Sequence, residues 1–108
     1  MRRAKVYNLE RLAGQIDEDE TGYRFAYDAE YLLDDNASPI SLTLPTRTES
    51  YTSPTLFSFF FGLLAEGSAK VIQCRELKLD ENDHFGRLIK TAHSDVIGSV
   101  TVREVTEP

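Results

Sequence analysis

The feature that most constrains this chain is the run over residues 56–64. Leu56, Phe57, Phe59, Phe60, Phe61, Leu63 and Leu64 are apolar there, and only Ser58 and Gly62 interrupt them. Ser53 is a good N-cap, Pro54 suits the first helical position, and Gly67 suits a helix end. The sequence therefore predicts a main helix over residues 54–66. Wound at about 100° per residue, its apolar side chains cover roughly 200° of the circumference, whereas a helix packed on one side needs a stripe of about 100°. Such a helix is either the centre of a core, buried on two sides, or it leaves apolar surface for a partner. A chain of 108 residues has little material with which to cover a helix twice. Both readings stand on the residues alone.

The segments before this run read as strands. Residues 3–8, with Val6 and Tyr7, prefer extended backbone. Residues 11–18 alternate, with Leu12, Gly14 and Ile16 on one side. Asp17, Glu18, Asp19 and Glu20 read as the polar tip of a hairpin closed by Thr21-Gly22. Tyr23, Phe25 and Tyr27 then share one face of a third strand, with Arg24 and Ala26 on the other, which gives an antiparallel meander. Asp28 can cap a short helix over 29–33. Residues 39–45, Pro-Ile-Ser-Leu-Thr-Leu-Pro, suit a short strand or extended segment between prolines, and 46–52 reads as a polar loop. After the main helix come a second over 68–77 and a third over about 81–92. In the third, Phe85, Leu88, Ile89 and Ala92 form one stripe. Gly98 precedes a closing strand over 99–105, with Val100, Val102 and Val105 apolar. The fold class that follows is α+β: one domain over 1–108, a small antiparallel sheet (N-terminal meander plus closing C-terminal strand), and about three to four helices packed on it.

Charge and motif content narrow the function classes. Eighteen acidic against twelve basic residues give a net charge of −6, which repels a phosphate backbone. The basic residues do not cluster beyond Arg2, Arg3 and Lys5. Aromatics at 23, 25 and 27 could stack bases, but without interleaved basic residues a packing role fits better. Cys74 is the only cysteine, so no internal disulfide forms and a reducing cytoplasm is the expected location. No apolar run approaches the ~20 residues that span a bilayer, and the N-terminus lacks the apolar stretch of a signal peptide. His84 and His93 have no cysteine or carboxylate at a zinc-ligand spacing. Cys74 has no base beside it in sequence, and the dispersed glycines form no phosphate cradle. The sequence thus offers no catalytic, cofactor or metal residues.

The ordered motifs resemble the N-terminal subdomain of HipA-type serine/threonine kinases, the toxins of bacterial toxin–antitoxin systems. The resemblance runs over about residues 5–102. Val6-Tyr7 with Gly14-Gln15-Ile16 is similar to the opening hairpin, and Phe25-Ala26-Tyr27-Asp28 with Tyr31-Leu32 to the next block. Residues 39–45 are similar to P-[IL]-S-L-[ST]-[LM]-P, and residues 59–67 to F-F-x-x-L-L-P-E-G. Asp83, Phe85, Leu88, Asp95 and Gly98 follow the closing pattern. Ala65 stands where the family often has proline. The kinase lobes are absent from the sequence, so the family's catalytic residues have no positions here.

The resemblance implies more. A free-standing subdomain of this kind is similar to the HipS antitoxins of three-gene HipBST systems. In those systems the kinase toxin HipT lacks this piece, and HipB binds DNA. The implied function is neutralisation of a HipT-like kinase toxin, with a HipB-like DNA-binding protein as a candidate third member. The alternative is a non-inhibitory N-terminal piece that completes a split HipA-like kinase. A small nucleic-acid-binding sheet protein is a third reading, from another class. The expected contact surface is the end of the main helix and the turn after it: Phe57, Phe61, Leu64, Glu66 and Ser68, with Phe60 and Leu63 equally suited to the core.

Overall fold

The computed structural model describes residues 1–93 and 99–105. In chain order the elements are β1 (Arg2–Asn8), β2 (Arg11–Asp19), β3 (Gly22–Tyr27), α1 (Ala29–Leu33), β4 (Tyr51–Ser53), α2 (Ser58–Phe61), α3 (Gly67–Leu77), α4 (His84–Thr91) and β5 (Val100–Glu104). The strands form a five-stranded sheet in the order β4-β3-β2-β1-β5, and every neighbouring pair is antiparallel. This is the α+β architecture the alternation predicts. Asp95 and Gly98, read above as part of the closing motif, lie outside the described residues.

One face of the sheet is the core. Ala4, Val6, Ile16, Phe25, Tyr27, Val100 and Val102 are buried there and meet Tyr31 of α1, Phe60 of α2, and Phe85, Leu88 and Ile89 of α4. The other face carries polar and basic rows: Arg24–Asp17–Arg3 and Ala26–Gln15–Lys5–Arg103 run across the strands. A bulge sorts the residues of β2. Val6 pairs with Gly14 but Tyr7 pairs with Leu12, so Ala13 is the extra residue. Ala13 is buried with the core, and Leu12 is shifted to the outer face opposite Tyr7. The simple alternation that placed Leu12 beside Gly14 and Ile16 is therefore corrected by one inserted residue. Gly14 is required by crowding: a Cβ there would lie 2.4 Å from the Ala26 carbonyl oxygen and 2.9 Å from the Phe25 ring.

Electrostatics fasten α4 to the first strand. Asp83 caps the helix by accepting from the Gly86 amide at 3.0 Å. The Arg2 guanidinium donates to both Asp83 oxygens at 2.9 and 2.7 Å, and to Glu18 at 2.7 Å. This network holds the Asp83 carboxyl below its usual range, chiefly through the Arg2 hydrogen bond. The cap also explains why α4 starts at His84 rather than near 81: residues 80–83 form the turn that delivers Asp83, with the Asp83 amide donating to the Asp80 carbonyl at 3.0 Å.

Three further expectations are overturned. The predicted helix over 54–66 is only the single turn of α2. Residues 54–57 approach without helical structure, and the chain turns again after Phe61. A continuous helix over a one-sided sheet could bury only one stripe. Breaking it lets side chains off that stripe, Phe57, Phe59 and Leu63, pack against the core together with Leu56, Phe60 and Leu64, so tertiary burial overrides local propensity. Residues 39–45 are not a strand but a tight turn, in which the Leu44 amide donates to the Ser41 carbonyl at 3.1 Å. The buried Tyr27 hydroxyl braces this turn, accepting from the Ile40 amide at 3.1 Å and donating to the Leu44 carbonyl. Burial pushes the Tyr27 phenol up to about 12. Finally, the polar loop over 46–52 ends in β4, whose three residues pair with Tyr23, Arg24 and Phe25.

Candidate protein-contact surface

The turn between α2 and α3 collects the residues singled out by the sequence. Phe60 drives α2 onto the sheet, its ring 5.7 Å from Phe25 and 5.2 Å from Phe59. That leaves Phe61 pointing away, 44% exposed, with its ring edge-on to His84 at 5.1 Å. Phe57 is half-buried, 6.3 Å from Phe60. The chain then winds through short turns, in which Gly62, Leu63 and Leu64 amides donate to the Ser58, Phe60 and Phe61 carbonyls at 2.9, 3.1 and 3.1 Å. Leu64 lies in the core at 7% exposure, so it supports this turn from beneath rather than facing solvent. Gly67 has a φ of +60°, which redirects the chain into α3. Glu66 and Ser68, on either side of it, are exposed.

Helix α3 also exposes apolar side chains that the sequence did not single out. Helix α3 buries only Cys74 and leaves Val71, Ile72 and Leu77 exposed. Its apolar residues do not gather on one stripe, so nothing in its pattern marked it as a surface helix with apolar exposure. Beneath the turn lies α4, whose Arg87 is 2% exposed. Its Nη2 donates to the Ala65 carbonyl at 2.7 Å.

Other readings find less support. Tyr23, Phe25 and Tyr27 point to the helices, with Tyr23 6.0 Å from Phe85 and Phe25 buried, so they offer no platform for stacking bases. Among the described residues, no three His, Cys, Asp or Glu side chains gather where they could hold a metal ion. Among the same residues, no helix is long and apolar enough to cross a membrane.

An antiparallel five-stranded sheet covered on one face by short helices makes this chain a small α+β domain. More specifically, the chain belongs to the HipA N-terminal domain family, whose model matches residues 4–103. That family is the N-terminal domain of HipA and not its catalytic kinase domain. The chain is 30% identical over 104 residues to an uncharacterized protein of Haemophilus influenzae, covering 96% of this chain and 93% of that one. It is 33% identical over 91 residues to the putative kinase Y4mE of Sinorhizobium fredii, of which it spans only 21%. A solved structure described as the N-terminal domain of HipA toxin shares the fold, with a TM-score of 0.75 at 24% identity, over 100% of this chain and 96% of that one.

Proposed function

We propose that this chain acts in trans as the antitoxin of a HipBST-type system, binding and neutralising a HipT-like or HipA-like serine/threonine kinase toxin. The observation that carries the reading is the difference in coverage. The same domain accounts for 93% of the Haemophilus relative but 21% of a putative kinase. A domain that packs on a kinase body within one chain can pack on it from a separate chain, provided its interface binds without the help of a linker. The whole chain serves as that one domain, in a reducing cytoplasm where the buried Cys74 thiol stays free. Phosphotransfer chemistry belongs to the kinase. A HipB-like DNA-binding protein is the candidate third member of the complex.

The contact is made by Phe57, Phe61, Glu66 and Ser68, with Leu64 behind them, and extends to the exposed apolar side chains of the following helix, α3. Exposed aromatic side chains held on a rigid turn are the kind of anchor that dominates protein interfaces. The match within Y4mE favours a second reading, in which the chain completes a split kinase without inhibiting it. Co-expression with a HipT-like or HipA-like kinase from the same genome, followed by phosphorylation assays with and without the chain, separates the two. Relief of growth arrest and loss of phosphorylation support the antitoxin. Stimulated phosphorylation supports the split kinase, and failure to co-purify removes both.

A further inference from the structure

Arg87 is buried without a matching anion. Among the described residues its guanidinium forms no ion pair, whereas Arg2, Arg3, Arg11 and Arg103 each reach a carboxylate. Its Nε is buried with no acceptor, and its recorded side-chain partner is the Ala65 carbonyl. Burying a charged group with so little compensation is costly, and an apolar side chain of similar volume avoids that cost. The charge is thus poorly explained by stability. What it supplies is local: it holds the Ala65 carbonyl, between the short turns after α2 and the positive-φ Gly67 that starts α3. Apart from it, residues 62–66 are held by the backbone bonds of the turns and of Lys70 to Glu66 and by Leu63 and Leu64 against the core, and none of these engages the Ala65 carbonyl.

Resting on the kinase-binding reading above, we infer that Arg87 is a positioning residue for the contact turn, holding Phe61, Glu66 and Ser68 in one binding-competent arrangement. A turn that samples several arrangements binds through the fraction in the right one, so its loss reduces the association rate while the complex, once formed, dissociates as before.

The test compares the full chain with Arg87→Met and Arg87→Lys, measuring association and dissociation rates with a HipT-like kinase from the same genome, thermal unfolding, and amide exchange over residues 62–69 in the free chain. Arg87→Met is expected to melt at or above the wild-type temperature, to exchange faster over 62–69, and to associate about tenfold more slowly with little change in dissociation. Arg87→Lys, which can still donate to the carbonyl, recovers part of the rate. Wild-type association by Arg87→Met alongside weak binding by Phe61→Asp overturns the inference and leaves the kinase reading intact. A fall in melting temperature as large as that of Phe60→Ala also overturns it, because Arg87 is then an ordinary core residue. If the wild-type chain does not bind the kinase, the underlying reading fails. The exchange data then decide the clamp alone, unchanged exchange in Arg87→Met overturning it.

Discussion

The turn Leu9-Glu10 can be made more stable by two substitutions that touch no core contact. These residues join β1 to β2 with φ of 51° and 67°, the two-residue hairpin geometry that Asn-Gly fills without strain. A non-glycine residue in this region costs about 1–2 kcal/mol, less for asparagine. Leu9 is 79% exposed, so Leu9→Asn gives up little burial. The Leu9 amide keeps its bond to the Ser99 carbonyl at 3.0 Å. Glu10→Gly removes the pair with Arg103 at 2.8 Å, an exposed pair of small worth, and loosens the unfolded chain, which offsets part of the gain. The net expectation for the double variant is about 1 kcal/mol of stabilisation. In a domain of this size that raises the melting temperature by about 4–8 °C. Thermal unfolding followed by circular dichroism at neutral pH measures it. A melting temperature equal to or below wild type refutes the argument that the positive-φ turn is strained.

Further outcomes follow from the same structure. Gly14→Ala drives a methyl group against the Ala26 carbonyl at 2.4 Å and is expected to destabilise by about 1–3 kcal/mol in denaturant titration. Tyr27→Phe removes the hydroxyl between the Ile40 amide and the Leu44 carbonyl, leaving both buried groups unpaired. It should cost about 1–3 kcal/mol, with faster exchange of the Ile40 amide. The depressed Asp83 carboxyl means that the folded chain binds fewer protons than the unfolded one in acid. Its stabilisation is therefore present above about pH 4, the unfolded value, and is lost as pH falls through the lower folded value. Asp83→Asn should lower stability at neutral pH and flatten that acid limb, read as melting temperature against pH.

The parts of the fold that were legible are those set by local pattern. The alternation of Tyr23, Phe25 and Tyr27 marked the inner face of β3. The stripe of Phe85, Leu88, Ile89 and Ala92 marked the buried side of α4, and all four are buried. Helix α1 spans the 29–33 expected of it. The errors share a physical cause, since each depended on distant residues. The broken main helix answers to the sheet beneath it, and the over-wide arc of phenylalanines was a sign of that break. Strand β4 is three residues whose pairing with β3 has no periodic signature. The turn over 39–45 depends on the Tyr27 hydroxyl, and the reversal of Leu12 depends on one bulged residue. At the candidate surface, the exposure of Phe61 was legible. The apolar exposure of α3 and the bond from Arg87 to the Ala65 carbonyl, reaching across from another helix, were not.

The most direct test of the account is the activity of a HipT-like kinase from the same genome, measured with the wild-type chain, with Phe61→Asp, and with no addition, after confirming that both chains melt at similar temperatures. The account predicts that the wild-type chain binds the kinase and suppresses phosphorylation, and that Phe61→Asp stays folded but binds and inhibits weakly. A wild-type chain that neither binds nor suppresses, or a Phe61→Asp chain that inhibits as well as wild type, contradicts it.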